Sequence, residues 1–419
     1  MGKTIIEKIL QNHTEDRVEP GKIVWIELDV RSARDFAGAN VVKNFEKHFP
    51  GEKVENPDKT FFTFDCNVPA NTIAYAENQH LCRLFARKQG IQVYDVDAGI
   101  GSHVMLYEGL ALPGGTVVGT DSHLNIMGAI GCFGQGMGDS DIAFAFKTGK
   151  TWFEVPETIK ITINGTYDYP TTGKDLILFI LGKMGAAGAL GKCVELYGEM
   201  VDRLDLEDRI TVASMGTEMG AISIVIPPSD EIIKFYRDMG KKFNPVFADP
   251  DAKYSQELEF DIQGLRPHIA KPPHPDDTVP VDELDEIKVD SVFIGSCTNG
   301  TYKDIKIAAD ILKGKKVAPG VMVKVVPATR ETYGRLLEDG IIQVLFESGV
   351  IVSNPGCGGC AQGQIGMTGK GEVQISTSNR NFKGKQGSGF TYLASTVTAS
   401  ASAITGKIAT LPARVIVRK

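Results

Sequence analysis

Histidine is scarce in this chain of 419 residues: there are 7, and none lies from residue 290 onward. A closed structural zinc site in the last third would therefore have no imidazole to draw on. No apolar run reaches the roughly 18 residues that a membrane span needs. No long Lys/Arg run occurs either, and the net charge is −7, which argues against phosphate-backbone binding as the main task. Fixed-period repeats and low-complexity tracts are absent. The stretch "MGKTIIEKILQNHTEDR" lacks the apolar core and small-residue cleavage site of a secretory signal, and position 6 is Ile rather than the Ser or Thr of a myristoylation motif. The expectation is a soluble, cytoplasmic protein that binds neither nucleic acid nor membrane.

The composition that remains, 42% hydrophobic and 23% charged, is ordinary globular composition. Amphipathic helical stretches, such as 78–91 ending at Gly90, alternate with short apolar strands. That alternation predicts α/β layering with mostly parallel sheets. "KIVWIELDV" (22–30) reads as a buried strand. Proline-rich and turn-rich segments at 155–175 and 271–289 suggest boundaries, giving expected domains at 1–167, 168–285 and 286–419. In the last of these, "SVFIG", "VMVKVVPAT", "GVIVSNPGC" and "EVQISTS" are each an apolar strand running into a polar or glycine-rich loop. Ligand sites of open α/β sheets form at such strand ends.

Seven cysteines, an odd number without a secretion signal, do not read as a disulfide framework. Cys66, Cys82, Cys132 and Cys193 have no Cys or His at ligand-like spacing and read as small buried hydrophobes. Cys297, in "GSCTNG", and the pair Cys357 and Cys360, in "NPGCGGC", each follow a strand and are placed to converge. A lone C-x-x-C is compatible with redox chemistry or half a zinc site. Three thiolates also suit a [4Fe–4S] cluster that leaves one iron open as a Lewis acid.

Taken together, "TIIEKIL", "PGKIVWIELD", "PGGTVVGTDSH", "GAIGCFGQGMGDSD", "GSCTNG", "NPGCGGC", "STSNRNF" and "YLAS" resemble the aconitase superfamily over essentially the whole chain. The resemblance is greatest to the separate large subunits of 3-isopropylmalate dehydratase and homoaconitase. It implies three α/β/α domains around a central site. It also implies one [4Fe–4S] cluster per subunit on Cys297, Cys357 and Cys360, with one iron lacking a protein ligand. The implied catalytic residues are His103 (followed five positions later by Glu108), Asp121, His123 and Glu218. Ser122, Arg380 and Lys385 are the implied substrate-binding residues.

The implied reaction is reversible dehydration of a hydroxy di- or tricarboxylic acid. The family default is the 2- to 3-isopropylmalate isomerisation of leucine biosynthesis; homoaconitate, methylmalate and 2,3-dimethylmalate are the alternatives. In the family the base is a serine on a swivelling domain, and its "GSSRE"-like loop is not found in this sequence, so a separate small subunit carrying it is expected. Four positions depart from the family pattern. Cys66 stands where a His follows Asp65, Ser214 replaces an Asn, Lys385 replaces an Arg and loses the bidentate fork, and Leu124 replaces a Thr. Together they favour a divergent member over aconitase itself. The rivals from other classes are an iron-sensing, RNA-binding relative and a structural zinc protein.

Overall fold

A computed structural model describes residues 2–360 and 365–412. Residues 361–364, which follow the cysteine pair, and the last seven residues, "ARVIVRK", lie outside the described residues.

The first sheet has five strands, all parallel, in the spatial order Gln92–Tyr94, Thr60–Thr63, Val30–Arg34, Thr116–Gly119, Phe133–Gly136. "TFFT" and "TVVG" bury every residue, as strands covered on both faces must. Helices Asp35–His48, Ile73–Gln89 and Asp139–Thr148 supply part of that cover through Phe45, Phe85 and Phe146, which join Phe62 in one core. Gly90 ends the second of these helices at φ 78°, a left-handed cap that favours glycine.

A second, four-stranded parallel sheet runs in the order Ser223–Val225, Cys193–Tyr197, Thr158–Asn164, Gln256–Asp261. Helix Gly173–Met184 packs on it, burying Leu176, Ile177, Ile180 and Leu181 with Ile159, Ile161 and Ile163. The third sheet has seven strands: Thr278–Pro280, His268–Ala270, Phe390–Ala394, Val373–Ser376, Ser291–Ile294, Met322–Val325, Ile351–Val352. Its last five are parallel and its first two antiparallel. The mixed α/β class with mostly parallel sheets is thus as expected. Among the described residues no helix is long and apolar enough to cross a membrane.

Two local expectations change. "KIVWIELDV" is two strands, not one: Ile23–Glu27 pairs antiparallel with Lys150–Glu154, and a separate strand starts at Val30. The first alternates exposed and buried, leaving Ile23 64% and Trp25 48% exposed, because a two-stranded ribbon has one solvated face. The stretch read as a boundary, 271–289, contains strand Thr278–Pro280, and the neighbouring His268 is buried in strand His268–Ala270. Prolines are admissible there because the strand lies at the sheet edge.

Candidate active site

Loops from the carboxyl ends of strands in the first and third sheets meet over one cavity of about 670 Å³. Clefts of about 720 and 860 Å³ lie around His13 and Asp29, but neither is lined by a cysteine, so volume does not decide between them. The smaller cavity gathers most of the chemistry. Arg34, Cys66, Ser122, His123, Cys357, Cys360, Arg380 and Lys385 line it, with the exposed rings of Phe36 and Phe382 also on its wall.

From the first sheet, Arg34 is the last residue of strand Val30–Arg34, and its guanidinium reaches three groups. Nε donates to Asp65 Oδ1 at 2.7 Å, Nη1 to Asp121 Oδ1 at 2.9 Å and Nη2 to Cys357 Sγ. Burial works against that charge, but the two carboxylates outweigh it and hold Arg34 firmly protonated. The carboxylates respond differently. Burial pushes Asp65 up to about 6 despite Arg34. Asp121 is equally buried yet lies below its ordinary value, because His123 joins Arg34 in stabilising its charge. Asp35 fastens the loop between them, accepting from the amides of Asp65, Cys66 and Asn67 at 3.2, 3.1 and 3.3 Å.

His123 Nε2 lies 3.3 Å from Glu218 Oε1, and Arg380 Nε donates to the same oxygen at 2.6 Å. A carboxylate only accepts, so Nε2 carries the proton and Nδ1 faces the Ser122 hydroxyl at 3.4 Å. Arg380 Nη1 also reaches Ser122 Oγ at 3.4 Å. Burial would raise the Glu218 carboxyl, but His123 and Arg380 prevail and hold it below the ordinary range. Its other oxygen, Oε2, is buried without a hydrogen-bond partner among the described residues.

The three cysteines of the two motifs come together from the third sheet. Gly295 at φ 155° and Ser296 at φ 74° bend the chain sharply after strand Ser291–Ile294 and set Cys297 into the site. A non-glycine residue in the left-handed region costs on the order of 1 kcal/mol or more and is found where function demands it. At Gly358, φ 61°, a Cβ would stand 2.7 Å from the Phe293 ring, so glycine alone fits between Cys357 and Cys360. Asn379 links the motifs: its Nδ2 donates to Cys297 Sγ at 3.4 Å and its Oδ1 accepts from Cys360 Sγ at 3.8 Å. Burial pushes the Cys360 thiol up to about 11, while Lys385, Arg380 and Arg34 pull it back. Cys297 is raised further, by burial and by the other two sulfurs. Soft donors grouped this way suit a thiolate-ligated metal or iron–sulfur centre.

The structure thus brings together nine of the ten residues singled out from the sequence. The tenth, His103, lies behind the site. Its ring is fully buried, with Nε2 donating to the Cys297 carbonyl at 2.9 Å. Burial brings it down to about 4, so it is neutral near pH 7, and its Nδ1 has no hydrogen-bond partner among the described residues. Cys66 corrects an expectation. It is buried as foreseen, yet its Sγ lies beside Asp65 Oδ1 at 3.4 Å and within 4.8 Å of Cys357 Sγ, inside the site rather than in the apolar core. Cys82, Cys132 and Cys193 do sit in apolar core.

Sequence reasoning missed Arg34, Asn379 and Lys174. The last is fully buried at the start of helix Gly173–Met184, and its ammonium donates to the carbonyls of Thr377 and Ser378 at 3.1 and 2.7 Å. It therefore clasps the loop that carries Asn379 and Arg380. Ser214 ties helix Leu206–Ser214 to the Cys297 loop through Thr298 Oγ1 at 3.2 Å.

The family model described as the aconitase family (aconitate hydratase) matches residues 7–406. A 3-isopropylmalate dehydratase large subunit of Methanopyrus kandleri is 42% identical over 97% of this chain and 98% of its own length. One from Archaeoglobus fulgidus is 39% identical over 97% and 98%. A probable methanogen homoaconitase large subunit of Methanosarcina mazei is 41% identical over 91% and 98%. In fold, the chain is similar to the crystal structure of Thermococcus kodakaraensis aconitase X, with a TM-score of 0.51 at 14% identity, covering 85% of this chain and 84% of that one. A match of that extent, with relatives this similar along their whole length, makes the chain a member of the aconitase family.

Proposed function

We propose that the chain is the large subunit of a hydro-lyase that dehydrates and rehydrates a hydroxy-dicarboxylic acid, with 2- and 3-isopropylmalate as the substrate pair. The observation that carries this reading is the Glu218 carboxylate shared by His123 and Arg380 on the wall of a cysteine-lined cavity. The names and full-length similarity of the relatives support the choice of substrate.

The donor set fits an iron–sulfur cofactor. Cys297, Cys357 and Cys360 are free thiols, all buried; Asn379 bridges Cys297 and Cys360, and the cations Arg34, Arg380 and Lys385 face the group. Held by these three cysteines, a [4Fe–4S] cluster with one iron lacking a protein ligand supplies a Lewis acid for the departing hydroxyl. The chain's own residues do the rest. Arg380 and Lys385 neutralise the substrate carboxylates. His123 handles a proton at Nδ1, with Glu218 fixing its tautomer through Nε2 and Ser122 adjoining Nδ1. Arg34 keeps the buried Asp65 and Asp121 compatible with one another. A small subunit carrying the swivelling domain and the base that takes the carbon-bound proton completes the site.

The test is anaerobic reconstitution of the purified chain with iron and sulfide, with and without the small subunit. The interconversion of 2- and 3-isopropylmalate is followed by NMR. Turnover is expected only with both chains and the cluster present. A colourless protein with stoichiometric zinc, or full turnover by this chain alone, overturns the reading. Homoaconitate is the second reading, favoured by the Methanosarcina mazei relative and by a further cavity cation, Lys383, available to a third carboxylate; preferential turnover of that triacid decides for it.

A further inference from the structure

Cys66 is the one cavity thiol to which the proposed reaction gives no task. Its Sγ, the Sγ of Cys357 and a carboxylate oxygen of Asp65 lie within 4.8 Å of one another, and Cys66 and Cys357 are each 4% exposed. Their backbones also touch. The Cys357 amide donates at 2.8 Å to the carbonyl of Asp65, which belongs to the peptide bond leading into Cys66. A second stitch joins the same loops: Asn354 Nδ2 donates to the Val68 carbonyl at 2.6 Å. Asp35, through the three amides it accepts, keeps residues 65–67 from drifting. Disulfides require this closeness, with Cα atoms no more than about 7 Å apart.

We propose that in the cluster-free chain Cys66 and Cys357 form a reversible disulfide, so that Cys66 is the redox partner of one cysteine of the cradle. The oxidant is a low-molecular-weight disulfide such as oxidised glutathione. One protein thiolate attacks a glutathione sulfur and expels one glutathione; the second protein thiolate attacks the mixed disulfide and expels the other. The two protein thiols give up two electrons and two protons, and the two glutathiones carry both away. The bond shields Cys357 from the sulfinic and sulfonic stages, which thiol reductants do not reverse. It also withholds one cradle thiol until a dithiol reopens it. That last consequence rests on the cluster assignment proposed above; the bond itself does not.

The test uses the full chain without cluster, equilibrated anaerobically with oxidised glutathione, alkylated and mapped as non-reduced peptides. A Cys66–Cys357 linked peptide is the expected main product, lost in Cys66→Ser and kept in Cys82→Ser. A map dominated by a Cys357–Cys360 link, or by glutathione on Cys357 with Cys66 free, overturns the proposal. In a second arm, iron and sulfide are offered to oxidised and to unoxidised wild type, with and without dithiothreitol. The oxidised chain should gain the brown chromophore only after dithiothreitol, and uptake by the bonded chain without it overturns the gating role. If no arm colours while the linked peptide is present, the cluster assignment fails and the disulfide stands.

Discussion

Glu218 and Arg380, 162 positions apart in the chain, are joined by a 2.6 Å ion pair that His123 shares from the other side. Removing the charge at its centre should disturb proton handling more than folding. Glu218→Gln is expected to lower kcat roughly 10²- to 10⁴-fold, the range for loss of positioned acid–base catalysis, with a smaller change in KM. Steady-state rates of the reconstituted enzyme check this, and an unchanged kcat removes Glu218 from the mechanism.

Arg380→Lys keeps the charge but removes the planar fork. Glu218 already takes Nε, so the grip on substrate depends on the remaining guanidinium nitrogens. KM for a dicarboxylate should rise roughly 10- to 100-fold, as losing a charge-assisted hydrogen bond implies. A rise of equal size with a monocarboxylate analogue would show that Arg380 does not read the second carboxylate.

Arg34→Leu would leave Asp65 buried without its ion pair and Asp121 with His123 and Arg380 alone to offset its charge. Breaking a buried charge pair this way costs about 3–5 kcal/mol. Urea unfolding of the cluster-free variant measures the loss, and stability equal to wild type would contradict the account of Arg34 as the group that reconciles these acids.

Lys174 links stability to pH. Burial brings its ammonium down to about 7 from the ordinary 10.5. Below about 7 both the folded and the unfolded chain hold the proton, and the full penalty of a buried charge is present. Between about 7 and 10 the unfolded chain binds a proton that the folded one does not, so wild-type stability rises with pH. Lys174→Met abolishes this. Wild-type stability relative to the variant should climb by on the order of a few kcal/mol across that window. A pH-independent difference in unfolding free energy refutes it.

Much of this site was legible because its residues cluster in short motifs. "GTDSH" places Asp121, Ser122 and His123 on one strand-end loop, and "GSCTNG" and "NPGCGGC" do the same for the thiols. Periodicity and apolar runs revealed the parallel strands for the same local reason. The residues that were missed act at long range. Arg34 looks like any polar residue opening a helix until Cys357, 323 positions away, is seen beside it. Lys174 reads as a surface lysine in a first helical turn, yet its partners are 203 and 204 positions distant. Cys66 has no nearby ligand in sequence, and its neighbour becomes apparent only when the loops are stitched together.

That stitching bears on how the protein matures. Arg34, Asp65 and Cys66 come from the first sheet's loops, whereas Cys297, Cys357, Cys360 and Asn379 come from the third. Contacts that close loops of this length form late and slowly. The three thiols of the cradle all lie on loops of the third sheet, so docking of the first sheet brings Arg34, Asp65 and Cys66 up to thiols already gathered. Any group held on those thiols would then gain the Arg34 guanidinium beside Cys357 only once the first and third sheets have met.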